Sequence, residues 1–245
     1  MKITKLAFVL FGLFLLGSCK SALEKKTWKE GILVDQFIYD KAPYPSCHAV
    51  TIVEATNGDL VASWFGGTHE RHPDVCIYVA IKPKGSDTWN EGVKVADGVM
   101  NDTLRYSTYN PVLFYAPNGE LLLFYKIGPN VAGWTGWMMR SKDNGHTWSK
   151  REALPEGFLG PIKNKPEFIN GVLLCPSSTE KTGWKAHIEF TTDFGKTWTK
   201  TDAINDPKIL QAIQPSILKY ADGRLQILCR SRNTTLNESW SKDGG

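Results

Sequence analysis

The sequence predicts an all-β fold, a β-propeller of four-stranded antiparallel blades. The first observation is a phrase that returns at a fixed interval. Ser141–Trp148 reads Ser-Lys-Asp-Asn-Gly-His-Thr-Trp, and Thr191–Trp198 reads Thr-Thr-Asp-Phe-Gly-Lys-Thr-Trp. A third copy begins at Ser241, and the Asp residues of the three copies stand at positions 143, 193 and 243, which are 50 residues apart. A fixed period of this length is typical of a repeat architecture.

The second observation is a set of four turn dipeptides, each placed between two apolar runs. They are Asn57-Gly58, Asn118-Gly119, Asn170-Gly171 and Asp222-Gly223, and their glycines follow one another at intervals of 61, 52 and 52 residues. Asn-Gly and Asp-Gly favour tight hairpins because both turn residues need positive φ. The run after each turn is almost continuously apolar, which is expected for a strand covered on both faces.

Each unit is therefore predicted to contain two strands joined by the tight turn, a third strand, an Asp-containing turn and a fourth strand. Blade one is expected at about 44–100 with a degenerate turn at Gly85–Trp89, blade two at about 105–158, blade three at about 162–208, and blade four from about 212 onward. Residues 44–245 would then form about three and a half blades of an incomplete propeller, which would have about six blades when whole.

The repeated phrase predicts structural rather than catalytic roles for its members. The Asp side chain can accept hydrogen bonds from backbone N–H groups of its own turn. The Gly supplies positive φ, and the Trp buries its rings between neighbouring sheets. The residues assigned to this role are Asp143, Gly145, Trp148, Asp193, Gly195, Trp198 and Asp243.

The first residues predict an export signal. Lys2 and Lys5 precede an apolar stretch at Leu6–Leu16, and Leu-Gly-Ser-Cys ending at Cys19 resembles a bacterial lipobox. We expect residues 1–18 to be a lipoprotein signal peptide and Cys19 to be lipidated, which would anchor the exported protein in the cell envelope without a spanning helix. A plain secretory signal is the alternative. Residues 19–43 would form an N-terminal segment whose Ile32–Tyr39 part is a candidate ring-closing strand.

Charge and cysteine spacing limit the kinds of partner and cofactor that the sequence predicts. The chain has a net charge of +4 and 22% charged residues, without a basic run interleaved with aromatics, so a nucleic-acid partner is not expected. Cys47, Cys76, Cys175 and Cys229 show no Cys-x-x-Cys or Cys/His spacing, so neither a metal nor another cofactor is predicted. We expect these four to be buried free thiols, although an exported protein could also pair them.

The phrase Ser/Thr-x-Asp-x-Gly-x-Thr-Trp is identified as the Asp-box of the sialidase (neuraminidase) superfamily, and the resemblance covers nearly all of residues 44–245. It implies a propeller glycosidase that removes terminal residues from acidic glycans. Members resemble one another in three Arg residues that hold the sialic acid carboxylate, an acid/base Asp, and a Tyr nucleophile paired with a Glu.

Counting from the tight-turn glycines places this chain against that pattern. The first Arg is expected ten residues before the first glycine, where His48 stands. The Glu is expected nine residues before the fourth glycine, where Gln214 stands, and the second Arg seven residues after it, where Arg230 stands. Gln cannot take a proton from Tyr, and His cannot hold a carboxylate bidentately as Arg does. The resemblance therefore implies the sialidase fold more firmly than the sialidase reaction.

The same count places Tyr109 and Lys126 in blade two at the positions of His48 and Arg230. The set is similar to that of propeller lyases acting on ulvan, in which His and Tyr exchange protons and a basic side chain neutralises the uronate carboxylate. The expected catalytic residues are His48, His69, Glu70, Asp74 and Tyr109. The expected substrate-binding residues are Lys126, Gln214, Arg230 and Arg232.

Three functions remain open on the sequence. The first is a sialidase-like hydrolase of acidic glycans. The second is a uronate-polysaccharide lyase or a His-dependent glycosidase on the same propeller. The third is a propeller that binds glycans without catalysis, since Asp-boxes also occur on propellers with other functions. In all three the expected partner is an acidic glycan, and contact with a membrane is expected only through the lipid anchor.

Overall fold

A computed structural model describes residues 31–245 of the chain. The chain divides into a unit Met1–Gln36 and a unit Phe37–Gly245, and every strand of the described residues lies in the second unit. The predicted signal peptide and Cys19 fall outside the described residues. None of the helical turns within residues 31–245 is long and apolar enough to cross a membrane.

Four consecutive antiparallel sheets form the second unit, and this confirms the predicted propeller architecture. Blade one contains β1 (Ser46–Glu54), β2 (Leu60–Gly67), β3 (Cys76–Lys82) and β4 (Val93–Ala96). Blade two contains β5 (Ser107–Tyr115), β6 (Leu121–Gly128), β7 (Thr135–Ser141) and β8 (Glu152–Ala153). Blade three contains β9 (Glu167–Ile169), β10 (Val172–Thr179), β11 (Lys185–Thr191) and β12 (Thr199–Lys200). Blade four contains β13 (Ala212–Lys219), β14 (Leu225–Ser231) and β15 (Asn237–Ser241). In each sheet the strands are hydrogen-bonded in chain order.

Tight turns join the first and second strands at the four predicted positions, but positive φ at both turn residues occurs in Asn170-Gly171 alone, and in the other three turns it is confined to the glycine. Gly58, Gly119, Gly171 and Gly223 have φ of 85°, 87°, 85° and 86°. A residue with a Cβ adopts this region at a steric cost, so glycine is the residue that these turns require. The repeated turn fixes the register of each hairpin, and the register in turn fixes which side chains face the neighbouring blade.

The core lies between adjacent blades rather than inside any one of them. Along β6, Leu121, Leu123 and Tyr125 pack against blade one, whereas Leu122 and Phe124 pack against blade three. A third cluster joins blades three and four. The alternation explains the continuous apolar runs of the sequence, because both faces of a middle blade are covered.

The Asp-box is a closed hydrogen-bonded turn between the third and fourth strands. Asp193 Oδ1 accepts from the backbone N–H groups of Lys196 at 3.0 Å and Thr197 at 2.9 Å, and Oδ2 accepts from Thr197 Oγ1 at 2.8 Å. Desolvation opposes ionisation of Asp193, but these hydrogen bonds outweigh it and lower its pKa to about 2. Asp143 has the same bonds to Thr147 and also a pKa of about 2.

The third copy begins the same arrangement. Gly245 N donates to Ser241 Oγ at 2.8 Å, as Gly145 N does to Ser141 Oγ at 2.8 Å. Ser241 Oγ in turn donates to Asp243 Oδ1 at 2.5 Å. The local sequence is therefore sufficient to form the turn before the rest of the phrase follows.

Each Asp-box also contacts the preceding blade. A Cβ on Gly195 would lie 2.7 Å from Met138 Sδ of blade two, and a Cβ on Gly145 would lie 3.1 Å from Val61 of blade one. Trp198 is buried in the core between blades two and three, and Trp148 packs on the core between blades one and two. The repeated glycine and tryptophan thus set the spacing between blades.

One expectation about the first part of the chain stays a prediction, and another needs correction. Residues 31–45 contain no strand, and ring closure by Ile32–Tyr39 stays a prediction, because the strand would pair with a last blade that the described residues do not include. Tyr39 and Tyr44 pack against Trp64 of β2, with ring centroids of Tyr39 and Trp64 5.6 Å apart. Cys47 is an exposed thiol, because it lies near the start of β1 at the edge of the sheet, whereas the other three cysteines after position 30 are buried and free as expected.

Asp193→Ala is expected to lower the free energy of unfolding by about 1–3 kcal/mol, because backbone donors of the turn lose their acceptor. Thermal denaturation measures the change, with Asp202→Ala as a control, since Asp202 is exposed in the same blade and makes no hydrogen bond or ion pair with residues 31–245. Activity per folded molecule should not change. Lost activity at unchanged stability would contradict the structural role.

Candidate functional site

The expected site residues lie at the blade ends opposite the tight turns and Asp-boxes. In an antiparallel blade, the first strand begins where the second one ends. His48 is near the start of β1, Tyr109 near the start of β5 and Arg230 near the end of β14. In the sheets, Tyr109 is the direct partner of Lys126, and Arg230 is the direct partner of Ile213. The residue ten positions before each of these tight-turn glycines therefore pairs with the residue seven positions after it, so counting from the glycine finds equivalent positions in successive blades.

A row of four rings joins blades one and two at this end. His48 stacks on Phe65 with centroids 5.5 Å apart and an interplanar angle of 20°. Phe65 lies 6.1 Å from Tyr109, and Tyr109 lies 4.9 Å from Trp134. His48 is exposed and Tyr109 is fully buried. Two of the residues expected to exchange protons, His48 and Tyr109, therefore lie on either side of Phe65.

A β-bulge lies next to Tyr109. The β5–β6 register shifts between Tyr109 and Val112, and Asn110 has a φ of 39°. The same shift occurs in β1, where Ala49 has a φ of 53°, and in β13, where Gln214 has a φ of 55°. Bulges are frequent beside functional sites. Tyr109 is the direct partner of Lys126, yet its ring contacts Phe65 of blade one whereas the Lys126 ammonium reaches Pro161.

The Tyr109 hydroxyl has no hydrogen-bond partner among residues 31–245. Its neighbour Ser107 donates to the carbonyl of Thr108 at 3.2 Å instead. Desolvation raises the pKa of Tyr109; the Ser107 hydroxyl, the Arg71 charge and the Trp134 N–H oppose the rise, and Glu70 adds to it. Ser107 and Trp134 therefore lie close to the phenol oxygen, although neither meets the geometry of a hydrogen bond to it. Burial keeps the phenol neutral near pH 7 and shields its hydroxyl from solvent.

The loop after β2 holds the other expected acid/base residues. Asp74 accepts hydrogen bonds from Thr68 N at 3.1 Å and Thr68 Oγ1 at 2.6 Å, and its Oδ1 is 2.8 Å from His72 Nδ1. Desolvation opposes ionisation, but these contacts lower the pKa of Asp74 to about 2. A carboxyl group with that pKa has no proton to donate near pH 7. Asp74 therefore anchors the loop rather than acting as its general acid.

His69 and Glu70 lie in the exposed part of this loop. His69 Nδ1 is 2.9 Å from the carbonyl of Glu70, and the ring lies 5.2 Å from that of His72. The Glu70 carboxylate makes no hydrogen bond or ion pair with residues 31–245, and it is near enough to raise the pKa of Tyr109. Glu70 and its neighbour Arg71 both act on the ring row, with opposite effects on the pKa of Tyr109.

Arg230 and Arg232 meet on one indole. Their guanidinium carbons lie 5.2 and 4.4 Å from the centre of the Trp184 ring. Both arginines are exposed, and neither forms an ion pair with the described part of the chain. Stacking on Trp holds a guanidinium in place without neutralising its charge. Two fixed, unpaired cations of this kind suit a carboxylate ligand.

Lys126 is placed differently from its expected role, and the role of Gln214 stays a prediction. Gln214 lies in the bulge of β13; its backbone N–H donates to Ser178 Oγ at 3.2 Å and its backbone carbonyl accepts from Asn164 Nδ2 at 2.9 Å. Lys126 is fully buried, and its ammonium donates to the carbonyl of Pro161 in blade three. Burial lowers the pKa of Lys126 to about 7, although the nearby Glu189 carboxylate opposes the shift. The expectation that Lys126 faces the same opening as Arg230 is therefore wrong, because the alternation along β6 turns it to blade three.

Glu189 and His187 form a buried polar pair that the sequence reasoning missed. Glu189 is fully buried and accepts from Leu159 N, Gly160 N and Ser177 Oγ, and its Oε1 is 3.0 Å from His187 Nε2. The signal was present, because positions 187 and 189 share one face of an otherwise apolar strand. Within residues 31–245 there is no group of three or more His, Cys, Asp or Glu side chains that could hold a metal ion.

The profile of the BNR repeat-like domain family matches residues 58–245, and the chain belongs to that family. No curated protein matches the chain in sequence.

Solved structures share the propeller fold. A protein of unknown function from Dyadobacter fermentans superposes with a TM-score of 0.67 at 15% identity, over 81% of this chain and 66% of its own. The NanB sialidase of Streptococcus pneumoniae superposes with a TM-score of 0.69 at 12% identity, over 86% of this chain and 52% of its own. An alpha-L-arabinofuranosidase of Fusarium graminearum, solved with arabinobiose, gives 0.62 at 19%, over 80% and 63%. This chain thus spans between 52 and 66% of these three proteins. The expected resemblance to sialidases is confirmed for the fold.

Lys126→Met is expected to remove a pH dependence of stability. The pKa of Lys126 is about 7 in the folded protein, against an ordinary value of 10.5. Between these two values the unfolded chain therefore holds a proton that the folded chain lacks. The free energy of unfolding should therefore rise with pH, by at most about 1.4 kcal/mol per pH unit from this residue.

Urea unfolding between about pH 7 and 8.5 measures that slope, below the range in which tyrosines titrate. The control is Lys142→Met, since the Lys142 side chain is 83% exposed. Identical slopes in the parent protein and Lys126→Met would show that Lys126 is not a buried titrating group.

Proposed function

We propose that this protein is a sialidase-like glycoside hydrolase that cleaves terminal residues from acidic glycans. The observation that carries the proposal is the ring row at the blade ends opposite the tight turns, where the exposed His48 stacks on Phe65 and the buried Tyr109 lies on the other side of Phe65. A glycosidase needs groups that deliver and remove protons at the glycosidic oxygen. A phenol kept neutral by burial does not repel an anionic substrate as a carboxylate nucleophile would.

Each residue has a proposed task in this reaction. Arg230 and Arg232, held on Trp184, bind the carboxylate of the acidic sugar. Tyr109 donates a hydrogen bond to the sugar once the rings that cover it move aside, and His48 exchanges a proton with the reacting oxygen from the exposed side. Burial keeps Tyr109 protonated, because desolvation raises the phenol pKa.

The comparisons support a carbohydrate partner. One solved neighbour is named as a sialidase, and another was solved with arabinobiose. We further propose that the protein is exported and lipid-anchored in the bacterial envelope through Cys19, on the strength of the Lys-flanked apolar stretch and the lipobox-like tetrapeptide. This location would expose the site to extracellular glycans.

A second candidate is an eliminating lyase that acts on uronate polysaccharides. His48 and Gln214 stand where the superfamily resemblance implies Arg and Glu, and a His–Tyr pair is the combination that the lyase resemblance implies. In such a reaction one group removes the proton beside the carboxylate and another protonates the leaving oxygen, which leaves a double bond in the product. The unpaired guanidiniums suit either reaction, because both substrates carry a carboxylate.

The two reactions differ in a product that can be measured. The full chain is incubated with 3′-sialyllactose and with a glucuronate-containing oligosaccharide, while reducing ends and far-ultraviolet absorbance are followed together. Hydrolysis releases reducing ends without new absorbance; elimination produces both. We expect hydrolysis, with activity reduced by about 10²–10⁴-fold in His48→Ala, which is the usual scale for a lost proton carrier.

The matched control is His146→Ala, since His146 lies in the Asp-box of blade two at the opposite blade ends. Release of free sialic acid that is unaffected by His48→Ala would overturn the role of His48. Retention of both glycans without any new reducing ends would instead favour a binding propeller.

Tyr109→Phe is expected to lower activity by at least about tenfold while leaving thermal stability unchanged, because it removes a hydroxyl that makes no hydrogen bond within residues 31–245. Tyr125→Phe is the matched control: its hydroxyl is equally buried and unpartnered, but it lies in the core between blades one and two. Equal activity in both variants would remove Tyr109 from the site.

A further inference from the structure

A second cavity lies between blades two and three, beside the ring row. Its volume is about 350 Å³, within the range of pockets that hold small ligands. Its walls come from residues 131–136, from the crossover 154–159 between the two blades, and from β11. Trp134 lines the cavity and its ring centroid also lies 4.9 Å from that of Tyr109, so the cavity borders the ring row.

The polar wall of the cavity is His187. Its side chain is 10% exposed, and its hydrogen bond within residues 31–245 is the one between Nε2 and Glu189 Oε1 at 3.0 Å. An ionised carboxylate only accepts hydrogen bonds, so Nε2 carries the proton and Nδ1 of a neutral ring is an acceptor. Nδ1 has no partner in the described chain. Nδ1 is also absent from the fully buried unpartnered atoms of the described chain, so it is accessible from the cavity, and an oriented, accessible acceptor is a group that a ligand can bind.

Glu189 fixes this orientation and is not itself open to a ligand. Its Oε2 accepts from Gly160 N at 2.6 Å and Leu159 N at 3.1 Å, and its Oε1 accepts from Ser177 Oγ at 3.1 Å as well as from His187. The crossover that forms one wall is therefore tied to the strand that carries His187. The cavity is rigid on this side, which limits the ordering cost of binding.

The remaining walls combine rings with charges. Phe158 forms an apolar patch, and Lys200 lies 4.8 Å above it with Nζ donating to the carbonyl of Gly157 at 2.7 Å. Lys181 and Glu156 are exposed at the mouth, and their charged groups make no ion pair with residues 31–245. Aromatic faces beside single donors and acceptors match a sugar ring, which presents C–H faces and a rim of hydroxyls.

We propose that this cavity is a subsite for one further sugar ring of the glycan that is cut at the Tyr109 site, with a hydroxyl of that ring donating to His187 Nδ1. The proposal rests on the proposed function for the identity of the glycan. Trp134 lines the cavity and also packs against Tyr109, so the cavity adjoins the ring row that ends at His48.

Two variants test the subsite by binding rather than by turnover. In a His48→Ala background, isothermal titration measures the affinity for 3′-sialyllactose and for the glucuronate-containing oligosaccharide. His187→Gln keeps an N–H for Glu189 and loses the acceptor at Nδ1, so the Kd should rise by about five- to tenfold. Ala132→Trp, at an exposed residue of the wall, should fill the cavity and raise the Kd by at least about tenfold.

The controls are Ala132→Ser and His146→Gln, which should bind as the background protein does. Hydrogen exchange at residues 154–160 should slow when the oligosaccharide binds and should not slow in Ala132→Trp. The subsite is overturned if neither probe binds, or if both variants bind as tightly as their controls. Failure of the proposed function gives a different result: binding that depends on the cavity, with no cleavage by the parent protein.

Discussion

Everything in this molecule depends on the requirement that each blade be covered by its neighbours. A middle blade is apolar on both faces, as β6 shows with alternate residues buried against blade one and blade three. Burial of apolar area contributes roughly 25 cal/mol per Å², so a blade without neighbours would lose most of its stabilisation. The tight turns, the Asp-box glycine and the Asp-box tryptophan all serve this packing, because they set the register and the spacing at which one sheet meets the next.

The same requirement decides where charges are tolerated. Lys126 continues the series Leu122 and Phe124 towards blade three, so its ammonium enters the interface between blades. It is tolerated because the Pro161 carbonyl accepts its hydrogen bond and the Glu189 charge lies nearby, although burial still lowers its pKa to about 7. Buried charges of this kind stabilise little but specify strongly, since an unpaired partner would be costly.

The sequence was a good predictor of the fold and a weaker one of the site, and the reason is physical. Turn glycines and Asp-boxes act through local hydrogen bonds and φ angles, which a short stretch of sequence determines, so the blade boundaries were predicted closely. Counting matched Tyr109 to His48 and Lys126 to Arg230, but in the structure the Tyr109 ring contacts Phe65 of blade one, whereas the Lys126 ammonium is buried against the Pro161 carbonyl. The site depends on such contacts between blades, which residue spacing does not encode.

The buried Glu189 connects the packing of blades two and three to the geometry of the cavity between them. It binds the backbone of the crossover that leads into blade three, and it also holds His187 in one tautomer at the edge of a cavity. Any shift between blades two and three would break several hydrogen bonds to one fully buried carboxylate, which is costly in a region of low dielectric constant. The geometry of the His187 wall is thus tied to blade packing, and through Trp134 the same packing positions the ring next to Tyr109. A rigid frame of this kind is what a carbohydrate site requires, because many weak contacts contribute to affinity only when their ordering cost has already been met in folding.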